Sequence, residues 1–95
     1  MKRFFEKLRQ ARHVFSSFPE EKRVAVTTVY NNMTTKFTSD DLYQLSDEDW
    51  LREWNKEREV FRSVYNIVGL MTTQEFDTLW DCCEVFCEEQ AMAVC

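Results

Sequence analysis

Residues 72–95 have the sequence TTQEFDTLWDCCEVFCEEQAMAVC, which contains six acidic residues and no lysine or arginine. The spacing of its residue types predicts an α-helix with two contrasting faces. Four acids recur at i, i+4, i+7 and i+11, the positions that form one line along a helix. The apolar residues fall on the other side, so the helix has one face to bury and one anionic face. The acidic row is Asp77, Asp81, Glu84 and Glu88, and the apolar side is Phe76, Leu79, Trp80, Cys83, Phe86 and Cys87.

A second helix is predicted ahead of this segment. Ser46 is followed by three acids, which are favoured in the first turn of a helix. Gly69 stands where a left-handed terminating residue belongs, and Thr72 with Glu75 forms the capping-box pattern that opens the last helix. The apolar residues between these signals share one helix face. They are Trp50, Trp54, Phe61, Val64, Tyr65 and Val68.

The N-terminal part of the chain predicts two more helices. Within residues 2–15, apolar residues repeat at i, i+4, i+7 and i+11, and the polar side is basic. Ser17 and Glu20 have the spacing of another capping box, so we expect a helix from there to about Asn32. Residues 24–30 are rich in valine and threonine, which also favour a β-strand. The polar residues 31–39 are predicted to form a loop.

The composition favours helices joined by tight connections. The chain of 95 residues has one glycine and one proline, whereas all-β domains use both at their turns. Its length suits one domain, and its 44% hydrophobic residues can form a core. We therefore predict an all-α fold, a compact bundle of four main helices plus a short extra helical turn from Ser39, as a single helical domain over residues 1–95. Short links should make consecutive helices antiparallel neighbours.

The charge distribution bears on the class of partner. The formal net charge is −5, but residues 1–16 hold five basic residues against one acid, so this stretch carries +4 and the remainder −9. Such an acidic body disfavours direct binding of nucleic acid. Charged residues interrupt every candidate apolar stretch near the N-terminus, so neither a secretory signal nor a membrane span is expected. The four cysteines lie close together near the C-terminus, which favours free thiols in the cytoplasm.

The sequence offers no arrangement that predicts catalysis. A single glycine excludes a phosphate-binding glycine loop, and the single histidine, His13, falls on the polar side of its predicted helix. Cys83 and Cys87 are one turn apart, but zinc would need two further ligands, so we interpret them as small core residues. We expect neither an enzyme nor a metal or cofactor.

Glu57 is the unusual charged residue, because it interrupts the apolar stripe between Trp54 and Phe61. A buried carboxylate needs a partner or a proton. We expect a salt bridge at the edge of the core, with Arg12 or Arg58 as the candidate partner. The alternative is that this stripe forms part of a binding groove.

These observations favour a non-enzymatic protein-binding module, an inhibitor or regulator that docks on a larger protein. The candidate partner-binding residues are Asp77, Asp81, Glu84, Glu88, Trp50, Trp54 and Glu57. One alternative is a nucleic-acid mimic that blocks a DNA- or RNA-binding protein, because the acidic row spaces its carboxylates on a scale similar to phosphates. A less favoured alternative is membrane association through the basic first helix. A homodimer that pairs the basic first helix with the acidic last helix is also open.

Overall fold

The computed structural model describes residues 2–38 and 44–94, with side chains over 3–38 and 44–90. Its described residues form four helices, which confirms the all-α prediction. The extra helical turn predicted from Ser39 falls within residues 39–43, outside the described part. The helices are α1 (Lys2–Ser17), α2 (Glu20–Phe37), α3 (Asp47–Ile67) and α4 (Thr73–Val94).

The last helix, α4, lies at the centre of the arrangement. It packs against α1, α2 and α3, and α2 also packs against α3. Contacts of Tyr65 with Ala25 and of Trp50 with Phe37 show that α2 and α3 are antiparallel, as predicted. The first helix departs from the prediction, because its main neighbour is α4 instead of α2. The resulting molecule is flat, with extents of 39 × 38 × 18 Å.

Two apolar clusters occupy the two sides of α4. The larger cluster joins α2, α3 and α4, and the smaller one joins α1 to α4. Trp80, Phe76 and Leu79 are completely buried, as the predicted apolar side of α4 requires. The buried residues of the larger cluster are Val26, Val29, Met33, Phe37, Met71, Phe76, Leu79, Trp80 and Cys83; those of the smaller cluster are Leu8, Ala11, Cys82 and Val85.

The limits of α2 differ from the prediction at both ends. Ser17 belongs to α1, where its hydroxyl donates a hydrogen bond to the Val14 carbonyl. The residue before α2 is Pro19, whose side chain has no group that can hydrogen-bond to the start of the helix. The predicted capping box is therefore wrong. The predicted loop over 31–39 is also wrong up to Phe37, because Met33 and Phe37 continue the buried stripe, each 2% exposed. The strand alternative for residues 24–30 is also wrong, because these residues lie within the helix Glu20–Phe37.

The predicted signals around α3 and the start of α4 are confirmed. The Ser46 hydroxyl accepts a hydrogen bond from the Asp49 amide at 3.2 Å, and Gly69 adopts φ +78° just after α3. The Glu75 amide donates to the Thr72 hydroxyl at 3.1 Å, and the Thr72 amide donates to the Glu75 carboxylate at 2.9 Å. This reciprocal pair is the capping box that the sequence predicted.

The α3 helix is less buried than its apolar stripe predicted. Trp50, Trp54, Phe61 and Tyr65 pack against the larger cluster but stay partly exposed, and none of the α3 residues is fully buried. Val64 and Val68, predicted to share that face, are 45% and 66% exposed. The flat shape explains the difference, because α3 contacts its neighbours along one narrow side. Along the described residues, no helix has the length and apolar character needed to span a bilayer.

Candidate functional site

The acidic row of α4 lies between α1 and α3, and cations of both helices reach its ends. The Arg62 guanidinium contacts both oxygens of Asp77, with Nε 3.0 Å from Oδ1 and Nη2 3.2 Å from Oδ2. Arg58 adds a third contact to Oδ1 at 3.3 Å. At the other end, Lys7 Nζ lies 3.8 Å from the Glu88 carboxylate. Asp77 and Glu88, two of the four acids predicted to bind a partner, are therefore already paired with cations of this chain.

The middle of the row is different. Asp81 and Glu84 are exposed, and neither has an ion-pair partner within 4 Å among the residues described. The Glu84 carboxylate accepts a hydrogen bond from the indole N–H of Trp80 at 3.0 Å. Among the described residues, two of the four carboxylates in the row are thus without an ion pair, and cations of α1 and α3 flank them.

Trp50 and Trp54 form part of an aromatic network that joins α2, α3 and α4. Their rings stack at 5.3 Å with an interplanar angle of 10°, and both meet Phe37 edge-on. The Trp50 indole N–H donates to the Phe37 carbonyl at 3.0 Å. Tyr30 packs edge-on against both Trp54 and Trp80. These contacts give Trp50 and Trp54, two of the candidate partner-binding residues, a structural role, although both side chains stay partly exposed.

Glu57 forms the expected salt bridge at the edge of the core, but with a different partner. Its carboxylate accepts a hydrogen bond from Lys36 at 2.8 Å. The two predicted partners are engaged elsewhere, because Arg12 pairs with Glu89 and Arg58 with Asp77. Lys36 was missed because residues 31–39 were predicted to form a loop, which would not hold it against α3.

A row of exposed aliphatic side chains on α3 and its C-cap was not predicted as a surface. We call it the α3 ridge: Val60, Val64, Ile67 and Val68, which are 55%, 45%, 81% and 66% exposed. They follow the spacing i, i+4, i+7 and i+8, which places them along one side of the helix. This second apolar stripe was visible in the sequence, but Val64 and Val68 were assigned to the core face.

The cysteines provide structural thiols and one accessible thiol. Cys82 and Cys83 are buried, so the prediction of Cys83 as a small core residue is confirmed. The same prediction is wrong for Cys87, which is exposed. Burial raises the pKa of the Cys83 thiol to about 11, and burial followed by the charge of Asp81 raises the pKa of Cys82. Across residues 3–38 and 44–90, no three metal-ligating side chains come together. His13 is exposed, on the polar side of α1 where it was predicted.

Comparison with known proteins identifies no relative of this chain. Neither a protein-family model, nor a curated protein, nor a solved structure matches this chain.

Proposed function

We propose that this chain is a non-enzymatic protein-binding module, an inhibitor or regulator that docks on a larger protein through the α3 ridge. The observation that carries the proposal is the exposure of four neighbouring aliphatic side chains on one side of α3. Burial of an exposed aliphatic side chain against a partner removes its apolar surface from water, which lowers the free energy of the complex. Contiguous exposed apolar patches on a folded domain are typical of interaction sites.

The size and surroundings of the ridge favour one kind of partner. Together, the four ridge side chains expose on the order of 400 Å² of apolar surface, near the usual size of the largest apolar patch on a monomer. A stable dimer buries roughly 800 Å² on each partner, so the ridge against a second copy of itself falls well short. A larger protein with an apolar groove could take the ridge and also cover its polar margin. Glu53, Lys56 and Glu59 provide that margin, and all three are exposed.

The mode of binding that fits is a helix seated in a groove. In this mode, anchor side chains at i, i+4 and i+7 of an amphipathic helix enter an apolar cleft of the partner. Val60, Val64 and Ile67 have this spacing, and the aromatic network packs α3 against α2 and α4. The anchors are therefore presented on a helix that is ordered before binding, which lowers the entropic cost of association.

The acidic row plays a secondary role in this proposal. The unpaired carboxylates Asp81 and Glu84 would steer a partner with a basic rim, which raises the association rate more than the affinity. Nucleic-acid mimicry is the weaker proposal, because Asp77 and Glu88 are already paired with cations of this chain. It predicts competition with DNA and a steep loss of affinity with salt, whereas docking by the ridge predicts a shallow salt dependence.

A pull-down from the native host with the immobilised chain tests the proposal. Ile67→Asp and Val64→Asp place a charge on the ridge, and Leu51→Asp is the matched control, because Leu51 is also exposed on α3 but lies on another side of the helix. We expect the two ridge variants to lose a partner that the wild type and Leu51→Asp both retain, with unchanged helical circular dichroism. Retention of every partner by both ridge variants would contradict the proposal.

A further inference from the structure

One buried polar atom among the described side chains has no hydrogen-bond partner. The Nε atom of Arg23 on α2 is buried and makes no hydrogen bond. The guanidinium carbon lies 5.8 Å from the centre of the Phe15 ring, so an aromatic face supports the group without satisfying its N–H donors. No carboxylate of the described residues lies within 4 Å of it. A buried unpaired donor is rare in folded proteins and calls for an explanation.

Arg23 lines a surface depression that can admit a ligand. The depression has a volume of about 280 Å³, and Phe15, Val24 and Thr27 contribute to its wall. Glu20 lines it as well and forms no ion pair with Arg23, so its carboxylate would repel a ligand's negative charge. This repulsion disfavours doubly charged groups such as phosphate and favours a singly charged anion.

A second cavity adjoins this depression, because Phe15 and Thr27 line both. It has a volume of about 350 Å³, at the lower end of the range of small-molecule sites, roughly 300–1,000 Å³. Phe86 forms part of its wall and meets Phe15 edge-on at 5.3 Å. None of its lining residues carries a formal charge when the Tyr30 hydroxyl and the thiols are protonated, and burial raises the pKa of Tyr30. The polar groups that line it are those of Thr27, Tyr30, Asn31, Thr34, Cys87 and Gln90.

We propose that the two depressions form one site for a small monocarboxylic acid with an apolar body. Because the Nε of Arg23 is buried out of reach of a ligand, the two outer Nη groups of its guanidinium pair with the carboxylate. Their parallel N–H donors match the two carboxylate oxygens. The apolar body extends past Phe15 and Thr27 into the uncharged cavity against Phe86. This site is separate from the α3 ridge, because no ridge residue lines either depression. The two proposals can therefore fail independently.

The first measurement is amide NMR of the full chain titrated with hexanoate, 3-phenylpropanoate and the uncharged hexanamide. We expect saturable chemical-shift changes at Thr27, Tyr30 and Cys87 with both carboxylates. The carboxylate that binds more tightly shows whether the site prefers an alkyl or an aromatic body in its ligand. Hexanamide should bind more weakly, since it lacks the charge. An absence of saturable shifts at these residues with both carboxylates at roughly 10 mM, where complexes of about millimolar Kd are detected, would overturn the proposal.

Variants assign the carboxylate to its partner. Arg23→Gln should weaken carboxylate binding about tenfold or more, as the loss of a charge-assisted hydrogen bond does, and leave hexanamide binding unchanged. Arg9→Gln is the control for net charge, because Arg9 is exposed on α1 and lines neither depression. Glu20→Gln should strengthen carboxylate binding. Equal binding by wild type and Arg23→Gln, or an equal loss in Arg9→Gln, would contradict the proposal.

A further variant covers the case in which Arg23→Gln does not fold. Arg23→Lys keeps the charge and the aliphatic stem but not the two parallel donors. We expect it to fold and to bind hexanoate several-fold more weakly than wild type. Wild-type affinity in Arg23→Lys, together with no gain in Glu20→Gln, would show that the guanidinium does not receive the carboxylate.

Discussion

Lys22 of α2 donates a hydrogen bond to Glu75 of α4 over 2.6 Å. The same Glu75 carboxylate accepts the Thr72 amide in the capping box, so one side chain closes the start of α4 and ties it to α2. The hydrogen bond from Lys22, followed by that from Thr72, lowers the pKa of Glu75 below its ordinary value. Both bonds favour the ionised carboxylate, which is the physical cause of the shift.

This lowered pKa makes the fold sensitive to acid. Because the folded-state pKa of Glu75 lies below the unfolded one, the unfolded state binds the proton more readily. The stabilisation is present above about pH 4.5, the ordinary value, and is lost as pH falls through the lower folded pKa. We expect Glu75→Gln to flatten the fall of the urea midpoint between pH 5 and 3, relative to wild type. Glu53→Gln, an exposed α3 residue without an ion pair in the described structure, should leave that fall unchanged.

The hydroxyl of Thr72 can be tested separately from the carboxylate. Thr72→Ala removes the acceptor for the Glu75 amide and should lower the free energy of unfolding by about 1 kcal/mol, the usual cost of losing an N-cap. Ser63→Ala, at an exposed position near the C-terminal end of α3, should stay within roughly 0.5 kcal/mol of wild type. Urea unfolding at pH 7 measures both. Equal stability of the two variants would show that the cap does not stabilise α4.

The ion pairs of the acidic row give a contrast between two neighbouring aspartates. Asp77 is held by Arg58 and Arg62, whereas Asp81, one turn further along α4, has no ion pair among the described residues. Asp77→Asn should therefore lower the urea midpoint, and Asp81→Asn should leave it unchanged or raise it slightly by reducing the excess of negative charge. Added salt should narrow the difference, because these side chains are partly exposed. A lower midpoint for Asp81→Asn than for Asp77→Asn would contradict this account.

Both boundaries of α3 and the start of α4 were predictable from local signals in the sequence, whereas the capping box predicted from Ser17 and Glu20 was wrong. Ser46, Gly69 and the pair of Thr72 and Glu75 act through hydrogen bonds or backbone angles within a few residues, so sequence spacing contains the information. The end of α2 was not predictable in this way. Its final turns are polar, and they are stabilised by burial of Met33 and Phe37 against residues of α3 and α4. Tertiary packing overrides local preference here.

The candidate surfaces depended on the helix arrangement, which the sequence does not specify. The acidic row was recognised on α4, but its counter-ions could be assigned only once α1 and α3 were known to flank it. The partner of Glu57 depends likewise on the position of Lys36 in the last turn of α2. The apolar spacing of the α3 ridge is present in the sequence, but only the packing of the helices showed that this side of α3 is uncovered.

Because α4 lies at the centre of the fold, we expect stability to be most sensitive to shortening of the buried side chains on this helix. Leu79 of α4 is completely buried in the larger cluster, so Leu79→Ala leaves a cavity and should lower the free energy of unfolding by about 2–5 kcal/mol. Val60→Ala on the α3 ridge removes a side chain that is 55% exposed and should cost below roughly 1 kcal/mol. Chemical denaturation of both variants checks the contrast. A comparable loss in Val60→Ala would mean that the ridge is covered in solution.

The three described cysteines should differ in their reactivity towards iodoacetamide at pH 8. The thiolate is the reacting form, and a Cys83 pKa of about 11 leaves roughly one thiol in a thousand ionised, while burial also blocks access. Cys82 is buried with a raised pKa and should behave in the same way, whereas Cys87 is exposed. Peptide mapping by mass spectrometry should therefore find Cys87 labelled at least about tenfold faster than Cys82 and Cys83, and similar rates for all three in urea, where the protecting fold is lost. Equal labelling of the three in the native protein would show that α4 opens readily on the time scale of the reaction.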